Sequence, residues 1–190
     1  MNDEPILAFK TPKLFEAWIK KQEPERAHGL WIRFYKKSSG VKAMVYAEAL
    51  DVALCYGWID ATARKHDDIS YLHRFCPRRK RSVWSKINVG HVARLTKAGY
   101  MKPAGLAQVE AAKADGRWER AYHGAKESAM PADFLKRLGK DKKALAFFKT
   151  LNATNTYAIR YRLQTAAKPE TREKRMLVIL AMMKEGKKFH

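Results

Sequence analysis

The chain of 190 residues has only two cysteines, Cys55 and Cys76, and no long apolar run. Two cysteines cannot build the disulfide framework of a small secreted protein, and they suit a reducing compartment. The acidic start, Met-Asn-Asp-Glu-Pro, lacks the apolar core of a secretory signal. No stretch approaches the roughly 18 apolar residues of a transmembrane helix. We therefore expect a cytoplasmic protein without a transmembrane segment.

Acidic residues are also scarce, and the segment 69–109 has none. The chain has 39 Lys and Arg against 19 Asp and Glu, a formal net charge of +20. Segment 69–109 carries nine Lys or Arg, interleaved with aromatic residues such as Trp84. Uncompensated positive charge must be well solvated or face a negative partner. The segment therefore predicts either a generally basic surface or a site for an anionic small molecule, an acidic protein or nucleic acid.

The pattern of hydrophobic residues predicts both helices and strands in the first part of the chain. Thr11-Pro12 is typical of a helix start, and the alternating run 30–35 after Gly29 predicts a strand. Residues 46–56 have helical spacing, and 58–65 with 69–75 predict an antiparallel hairpin through the polar residues 66–68. Ser82 is a plausible N-cap for a helix that extends to Ala98.

Everything after Pro103 has helical spacing, with helix starts at Pro131 and Pro169. The prediction is an α+β fold: a small antiparallel sheet with packed helices, then an all-helical C-terminal part. We expect an α+β domain at 1–123, which includes the basic segment, and a helical module at 131–190 packed on it. Gly124–Met130 is the predicted linker.

The residues give little support for catalysis. Cys55 lies within an apolar helical pattern and reads as a buried, inert thiol, whereas cations beside Cys76 would favour its thiolate. The six histidines lack metal-ligand spacing, apart from the lone pair His73 and Cys76. Nucleotide-binding and nucleophile-elbow motifs are missing from the sequence. We expect no metal and no cofactor, and a non-enzymatic protein rather than an enzyme.

Three carboxylates near the basic segment allow two interpretations. Glu48 and Asp51 are three residues apart on one predicted helix and can share a face. With Asp60 they could line a pocket together with the arginines. Alternatively, they neutralise arginines in structural ion pairs.

The block around the predicted helix start at Ser82 is the main candidate for binding. A helix N-terminus offers backbone N–H groups and partial positive charge, and arginines add bidentate donors for phosphate or carboxylate. Trp84 would add a flat stacking surface. The alternative is a solvated loop with Trp84 in the core. The residues of this candidate anion site are Arg74, Arg78, Arg79, Arg81, Ser82, Trp84 and Asn88, with Asp60 nearby.

Several blocks of the sequence resemble the YdeI/OmpD-associated family, the bacteriocin-protection proteins. The matching blocks cover most of the chain: 46–60, 74–88, 99–105, 115–122, 131–134, 147–148 and 167–172 with Arg175. Cys76 stands where the family pattern has Thr more often. The resemblance implies that the C-terminal helices are a regular part of the fold, and it implies a link to envelope stress or bacteriocin tolerance. It implies no particular reaction, because the family has no agreed one.

The resemblance also marks a second block as a family hallmark. Lys168, Thr171 and Arg172 lie at a predicted helix start that suits an anion, or form local ion pairs there. Our first hypothesis is a non-enzymatic binding protein with a basic site for an anionic ligand or an acidic protein. The alternative is a nucleic-acid-binding protein, and the third is an enzyme that acts on a small anionic substrate.

Overall fold

The computed structural model describes residues 4–22, 28–124 and 129–190. They form two compact units, here called the N-terminal unit (residues 1–82 and 88–119) and the C-terminal unit (83–87 and 120–190). The elements of the described residues are, in chain order, β1 (Ile6–Leu7), α1 (Pro12–Ile19), β2 (Leu30–Tyr35), α2 (Tyr46–Cys55), β3 (Trp58–Lys65), β4 (Ser70–Pro77), α3 (Lys86–Lys97), α4 (Pro103–Ala114), α5 (Ala132–Leu138), α6 (Lys142–Lys149), α7 (Ala153–Gln164) and α8 (Pro169–Lys184). The α+β class with a helical C-terminal part is confirmed.

The sheet of the N-terminal unit has the strand order β1-β2-β4-β3. The predicted hairpin is confirmed, because β3 and β4 pair antiparallel, and β4 also pairs antiparallel with β2. The predicted small antiparallel sheet has one departure, since β1 adds to β2 in parallel and makes the sheet mixed. A strand of two residues is too short to show periodicity, and backbone bonds such as Trp31 N–H to the Pro5 carbonyl (2.9 Å) fix its place.

In α1, the capping residues and the buried positions both agree with the pattern of the sequence. The Thr11 side chain accepts a hydrogen bond from the Leu14 N–H, and Pro12 occupies the first turn of α1. Phe15 and Ile19, four residues apart, turn the buried face of α1 to the core. That core is largely aromatic and consists of Phe15, Ile19, Leu30, Ile32, Phe34, Met44, Ala49, Ala53, Trp58 and Phe75.

The predicted start of the third helix at Ser82 is wrong, because α3 begins at Lys86. The residues just before it are extended: the Tyr122 N–H donates to the Trp84 carbonyl (2.9 Å) and the Lys86 N–H to the Tyr122 carbonyl (2.8 Å). Ser82 instead closes a turn, where its hydroxyl accepts from the Arg79 N–H at 3.0 Å. Pairing with a segment almost forty residues away therefore overrides the capping tendency of Ser82.

The C-terminal unit buries an aliphatic and methionine-rich core. Its residues come from four helices: Phe134, Leu138, Ala144, Ile159, Leu163, Met176, Ile179 and Met183. The predicted division into 1–123 and 131–190, with one part packed on the other, stays a prediction. Within the predicted linker Gly124–Met130, residues 125–128 lie outside the described residues. Among the helices of the described residues, none has both the length and the apolar content that crossing a bilayer requires.

Candidate functional site

Arg74 of the predicted anion site already holds a carboxylate. Its Nε donates to Glu4 at 2.6 Å and its Nη2 donates to the other oxygen of the same carboxylate, while Nη2 also reaches the His28 carbonyl at 3.2 Å. The hydrogen bond from Arg74 holds the pKa of Glu4 below its usual value. A ligand at Arg74 would have to displace Glu4 from a bidentate, half-buried pair.

The remaining residues of the block have different environments. Arg78 and Trp84 are buried, with 6% and 2% of their surface exposed, whereas Arg79 and Arg81 are exposed. Asn88 is half-buried near the start of α3. Trp84 belongs to the C-terminal unit and the arginines belong to the N-terminal unit. Ser82 does not cap α3, because α3 starts at Lys86. The helix N-terminus on which the predicted anion site was based is therefore four residues further along the chain than Ser82. A binding role for the block stays a prediction.

Asp60 lies in a small polar cluster that the sequence did not reveal. The Tyr46 hydroxyl donates to Asp60 Oδ2 at 2.8 Å, and His73 Nε2 is 3.5 Å from the same oxygen. The Tyr46 and His73 rings stack with their centroids 4.8 Å apart. Burial lowers the pKa of His73, although Asp60 opposes that effect. The alternation of β4 was the available signal, since it places His73 on the same face as Phe75.

The second predicted anion site, at the start of α8, is also occupied in part. The two terminal nitrogens of Arg172 donate to Asp133 of α5 at 2.6 and 2.9 Å. This pairing lowers the pKa of Asp133 and raises that of Arg172. The partner lies on another helix, 39 residues away, rather than locally. Lys168 is the N-cap residue of α8, and Thr171 lies exposed in its first turn. Their binding role stays a prediction.

The N-terminal unit contains a cleft of about 280 Å³. Its walls come from α1, α2 and α3 and from the segment that follows α3. The residues that line it are Pro12, Glu16, Glu48, Asp51, Val52, Cys55, Tyr56, Arg94, Leu95, Tyr100 and Lys102. Apolar and aromatic groups therefore form the walls, and a few charged groups converge on them, which is the usual composition of a small-molecule site.

Hydrogen bonds fix most of the charged groups of this cleft. The Tyr56 hydroxyl donates to Glu16 Oε1 at 2.7 Å, which lowers the pKa of Glu16. Arg94 Nη2 donates to Asp51 Oδ1. Glu48 Oε2 accepts from the Val45 N–H at 2.9 Å at the start of α2. These bonds hold three carboxylates at the cleft in defined positions.

The thiol and the phenol of the cleft are protonated at neutral pH. Burial raises the pKa of Cys55 to about 11, with a smaller contribution from the negative charge of Asp51. Burial also raises the pKa of Tyr56, and its hydrogen bond to Glu16 adds to this. The inert thiol predicted at Cys55 agrees with this environment, since the thiolate is the reactive form.

Sequence reasoning found two of the three carboxylates that line this cleft. The spacing of Glu48 and Asp51 predicted a shared face, and both line the cleft. The cation that Asp51 holds is Arg94 of α3, not an arginine of the block 74–81. Tyr100 and Lys102 carried no sequence signal, because only the turn after α3 brings them to the cleft. Among residues 4–22, 28–124 and 129–190, no group of three or more His, Cys, Asp or Glu could hold a metal ion.

Two family models match the chain. The model of a domain of unknown function, DUF8412, covers residues 7–108, which include every residue that lines the cleft. The model described as bacteriocin-protection, YdeI or OmpD-associated covers residues 127–186, so the sequence resemblance is confirmed for that region. No curated protein and no solved structure matches the chain.

Proposed function

This chain belongs to the DUF8412 family, a domain of unknown function, and from that premise we propose that it is a non-enzymatic protein that binds a small molecule in the cleft of its N-terminal unit. The observation that carries the proposal is the cleft itself, with apolar walls and three positioned carboxylates. Its volume of about 280 Å³ suits a small ligand. The C-terminal region carries the domain described as bacteriocin-protection, YdeI or OmpD-associated.

The chemistry of the lining supports binding rather than turnover. A nucleophilic mechanism needs an activated nucleophile beside a base. The thiol in the cleft, Cys55, has a pKa raised to about 11 and lies among apolar side chains of α2. The carboxylates nearby, Glu16 and Asp51, are hydrogen-bonded to a phenol and a guanidinium. Such groups orient and hold a ligand.

The charges of the cleft favour a ligand that carries an amine. The lining has three carboxylates (Glu16, Glu48 and Asp51) against two cations (Arg94 and Lys102), a balance of −1 in a chain of net charge +20. The hydrogen bonds and the ion pair described above engage one oxygen of each carboxylate, and Lys20, outside the lining, lies 3.4 Å from the same Oε1 of Glu16 that accepts from Tyr56. The second oxygens can accept N–H donors from an ammonium group, while the aromatic and aliphatic walls cover an apolar body.

Three compounds that share a phenyl ring separate the charge requirements. Phenethylamine, phenylalanine and phenylacetate carry net charges of about +1, 0 and −1 at neutral pH. Titration of ¹⁵N-labelled protein should shift backbone signals of 94–102 most with the amine and least with the carboxylate. The reverse order would exclude an amine-binding cleft, and unchanged signals with all three at millimolar concentration would exclude a site for this class of ligand.

A rim residue allows a matched pair of variants. Tyr100 is 61% exposed, so Tyr100→Ala should leave the fold intact and weaken binding by about threefold to tenfold through the lost aromatic contact. Leu177→Ala removes a comparably exposed apolar side chain, 53% exposed, from α8 of the C-terminal unit. That control should bind like the parent protein. Equal losses in both variants would show that the cleft is not the site.

The predicted anion site at residues 74–88 is the second candidate, and the exposure of Arg79 and Arg81 supports it. Arg79→Glu combined with Arg81→Glu should abolish binding of inorganic phosphate and leave the thermal melt unchanged. Arg78 is unsuited to this test, because charge reversal of a buried residue would perturb folding.

At the level of the cell, we propose a cytoplasmic role in bacteriocin tolerance or envelope stress. The words bacteriocin-protection in the description of the C-terminal family support the first of these processes. A strain that lacks the protein should regain tolerance with the parent gene and regain less of it with a cleft variant such as Tyr100→Ala. Equal rescue by both genes would separate the cleft from this process.

A further inference from the structure

One face of the sheet combines arginine and aromatic side chains and lies opposite the aromatic core. Leu30, Ile32 and Phe34 point to the core, so the alternating residues Trp31 and Arg33 point to the other face, here called the outer face. Tyr35 follows the same alternation. Residues paired across strands share a face, so Ser70, Leu72 and Arg74 of β4 and Arg64 of β3 also belong to the outer face.

Arg64 forms the centre of this face. It pairs with Leu72, and its guanidinium carbon lies 4.2 Å from the centroid of the Trp31 ring on β2. To reach that ring from β3, the side chain must cross β4 at Leu72. Leu72 itself is buried, with 1% of its surface exposed. Arg64 itself remains exposed, so the stacked guanidinium is accessible from solvent.

A second arginine is held in the same way. The Arg33 guanidinium carbon lies 4.9 Å from the centroid of the Tyr35 ring. Arg33 also donates to Ser70 Oγ at 2.9 Å and to Asp67 at 2.6 Å, which fixes its orientation. The outer face thus presents two guanidinium groups stacked over rings, and neither has to be ordered when a ligand arrives.

The outer face keeps positive charge after its internal pairs are counted. Arg33 is paired with Asp67, and Arg74 is paired with Glu4. Among the ion pairs of the described residues, none neutralises Arg64. At the end of the hairpin, Lys36 donates to the backbone carbonyl of Asp68 and Lys65 pairs with the Asp68 carboxylate. Lys65 pairs with Tyr71 across the strands, so it belongs to the core side and adds nothing to the outer face. The arginines of the outer face therefore outnumber their carboxylate partners by three to two.

We propose that the outer face binds single-stranded nucleic acid, with a base stacked on the Arg64–Trp31 pair and a phosphate near the Arg64 guanidinium. Guanidinium planes and aromatic rings are the surfaces on which unpaired bases stack. The residual positive charge of the face and the net charge of +20 supply the sequence-independent attraction to phosphate. An acidic peptide would use the charge but not the flat stacked surface, so the combination favours a nucleic acid. This surface is separate from the cleft, and its proposal does not depend on the cleft.

The test is fluorescence anisotropy with a labelled single-stranded oligonucleotide of about a dozen thymidines, at several salt concentrations. Arg64→Ala should weaken binding about tenfold or more, since it removes a phosphate contact and the stacked group. Arg64→Lys keeps the charge and loses the flat group, and a loss of about threefold to tenfold is expected. Both variants replace an exposed residue, so the fold should be retained, and circular dichroism checks this.

The control for general charge is Lys97→Ala on α3, an exposed cation of the same unit. It should change the affinity by less than about twofold at moderate salt. Three results would overturn the proposal: no binding at low salt, an equal loss in Lys97→Ala, or affinity unchanged in Arg64→Lys. Equal competition by polyglutamate at matched charge would also overturn it, and would indicate an acidic polypeptide as the occupant.

Discussion

The hydrophobic cores of the two units are built from different types of side chain. The N-terminal unit packs rings around a sheet, with Phe15, Phe34, Trp58 and Phe75 at its centre. The C-terminal unit packs mainly aliphatic and methionine side chains between helices, together with the ring of Phe134. Rings have fixed shapes and few rotamers, whereas methionine adapts to irregular gaps. Substitutions in the two units should therefore have different effects.

Polar groups are also distributed differently between the units. In the N-terminal unit, half-buried polar pairs join distant segments, such as Arg74 with Glu4 and Tyr56 with Glu16. In the C-terminal unit, the ion pairs between α5 and α8 are more exposed: Arg172 with Asp133 and Arg137 with Glu173. Exposed pairs add little stability, and half-buried ones fix geometry. The contrast directs the search for function to the N-terminal unit.

The largest expected effect is a difference between the two cores in how much stability is lost when a buried ring is removed. Phe75 has ring contacts with Phe15, Phe34, Tyr46 and His73, whereas Phe134 has a ring contact with Phe148. Both positions are fully buried. We expect Phe75→Ala to cost about 5 kcal/mol and Phe134→Ala about 3 kcal/mol in the free energy of unfolding. Urea denaturation measures both, and equal losses would remove the proposed difference between the cores.

The next prediction compares two glycines in helices of the N-terminal unit. A Cβ at Gly105 of α4 would lie 2.3 Å from the Cys55 carbonyl oxygen, whereas Gly90 of α3 has nothing within 4 Å. Gly105→Ala should destabilise the protein by about 1–3 kcal/mol, because backbone must move where α4 meets the end of α2. Gly90→Ala should stabilise it by about 0.5–1 kcal/mol. Thermal melts that moved in the same direction would contradict the close approach of α4 to α2.

A buried amide in the C-terminal unit gives an effect of similar size. Asn155 is 1% exposed, and its Oδ1 accepts from the Phe189 and His190 N–H groups at 3.0 and 3.1 Å. Asn155→Ala leaves these donors without that acceptor and should cost about 1–3 kcal/mol. Asn152→Ala removes the cap of α7 and one acceptor of the Asn155 amide nitrogen but leaves Asn155 Oδ1 in place, and it should cost about 1 kcal/mol. Amide exchange of 189 and 190 should rise only in the first variant.

The smallest expected effect is a dependence of stability on pH in the N-terminal unit. Burial lowers the pKa of His73 in the folded state, so the unfolded chain binds the proton more readily. The stability contribution of neutral His73 is therefore complete above its unfolded pKa of about 6.5 and is lost as pH falls toward the folded value. His73→Phe keeps a ring beside Tyr46 and should flatten the melting temperature between about pH 7.5 and 5. An unchanged profile would assign that dependence to other groups.

Much of the fold was predictable because its signals are local. The cap at Thr11, the alternation of β2 and the hairpin from Trp58 to Pro77 each depend on residues close together in the chain. The departures from prediction occur where distant backbone decides. The short strand β1 exists only by pairing with β2, and α3 starts at Lys86 because residues before it pair near Tyr122.

The candidate site was less predictable than the fold. The sequence pointed to arginines by their number, but a count of charges does not reveal which guanidinium groups are already paired. Glu4 and Asp133, the partners of Arg74 and Arg172, lie 70 and 39 residues away from them. The cleft combines Glu16, Asp51 and Arg94, and no spacing rule links these three positions.

The sequence by itself determined the class of fold, the order of most elements and the excess of positive charge, because periodicity, caps and composition act over a few residues. Only the tertiary structure decided which charges are neutralised, which rings carry a guanidinium and which helices enclose a cleft. Those features depend on distances between remote segments. Such distances are set by packing in the folded chain.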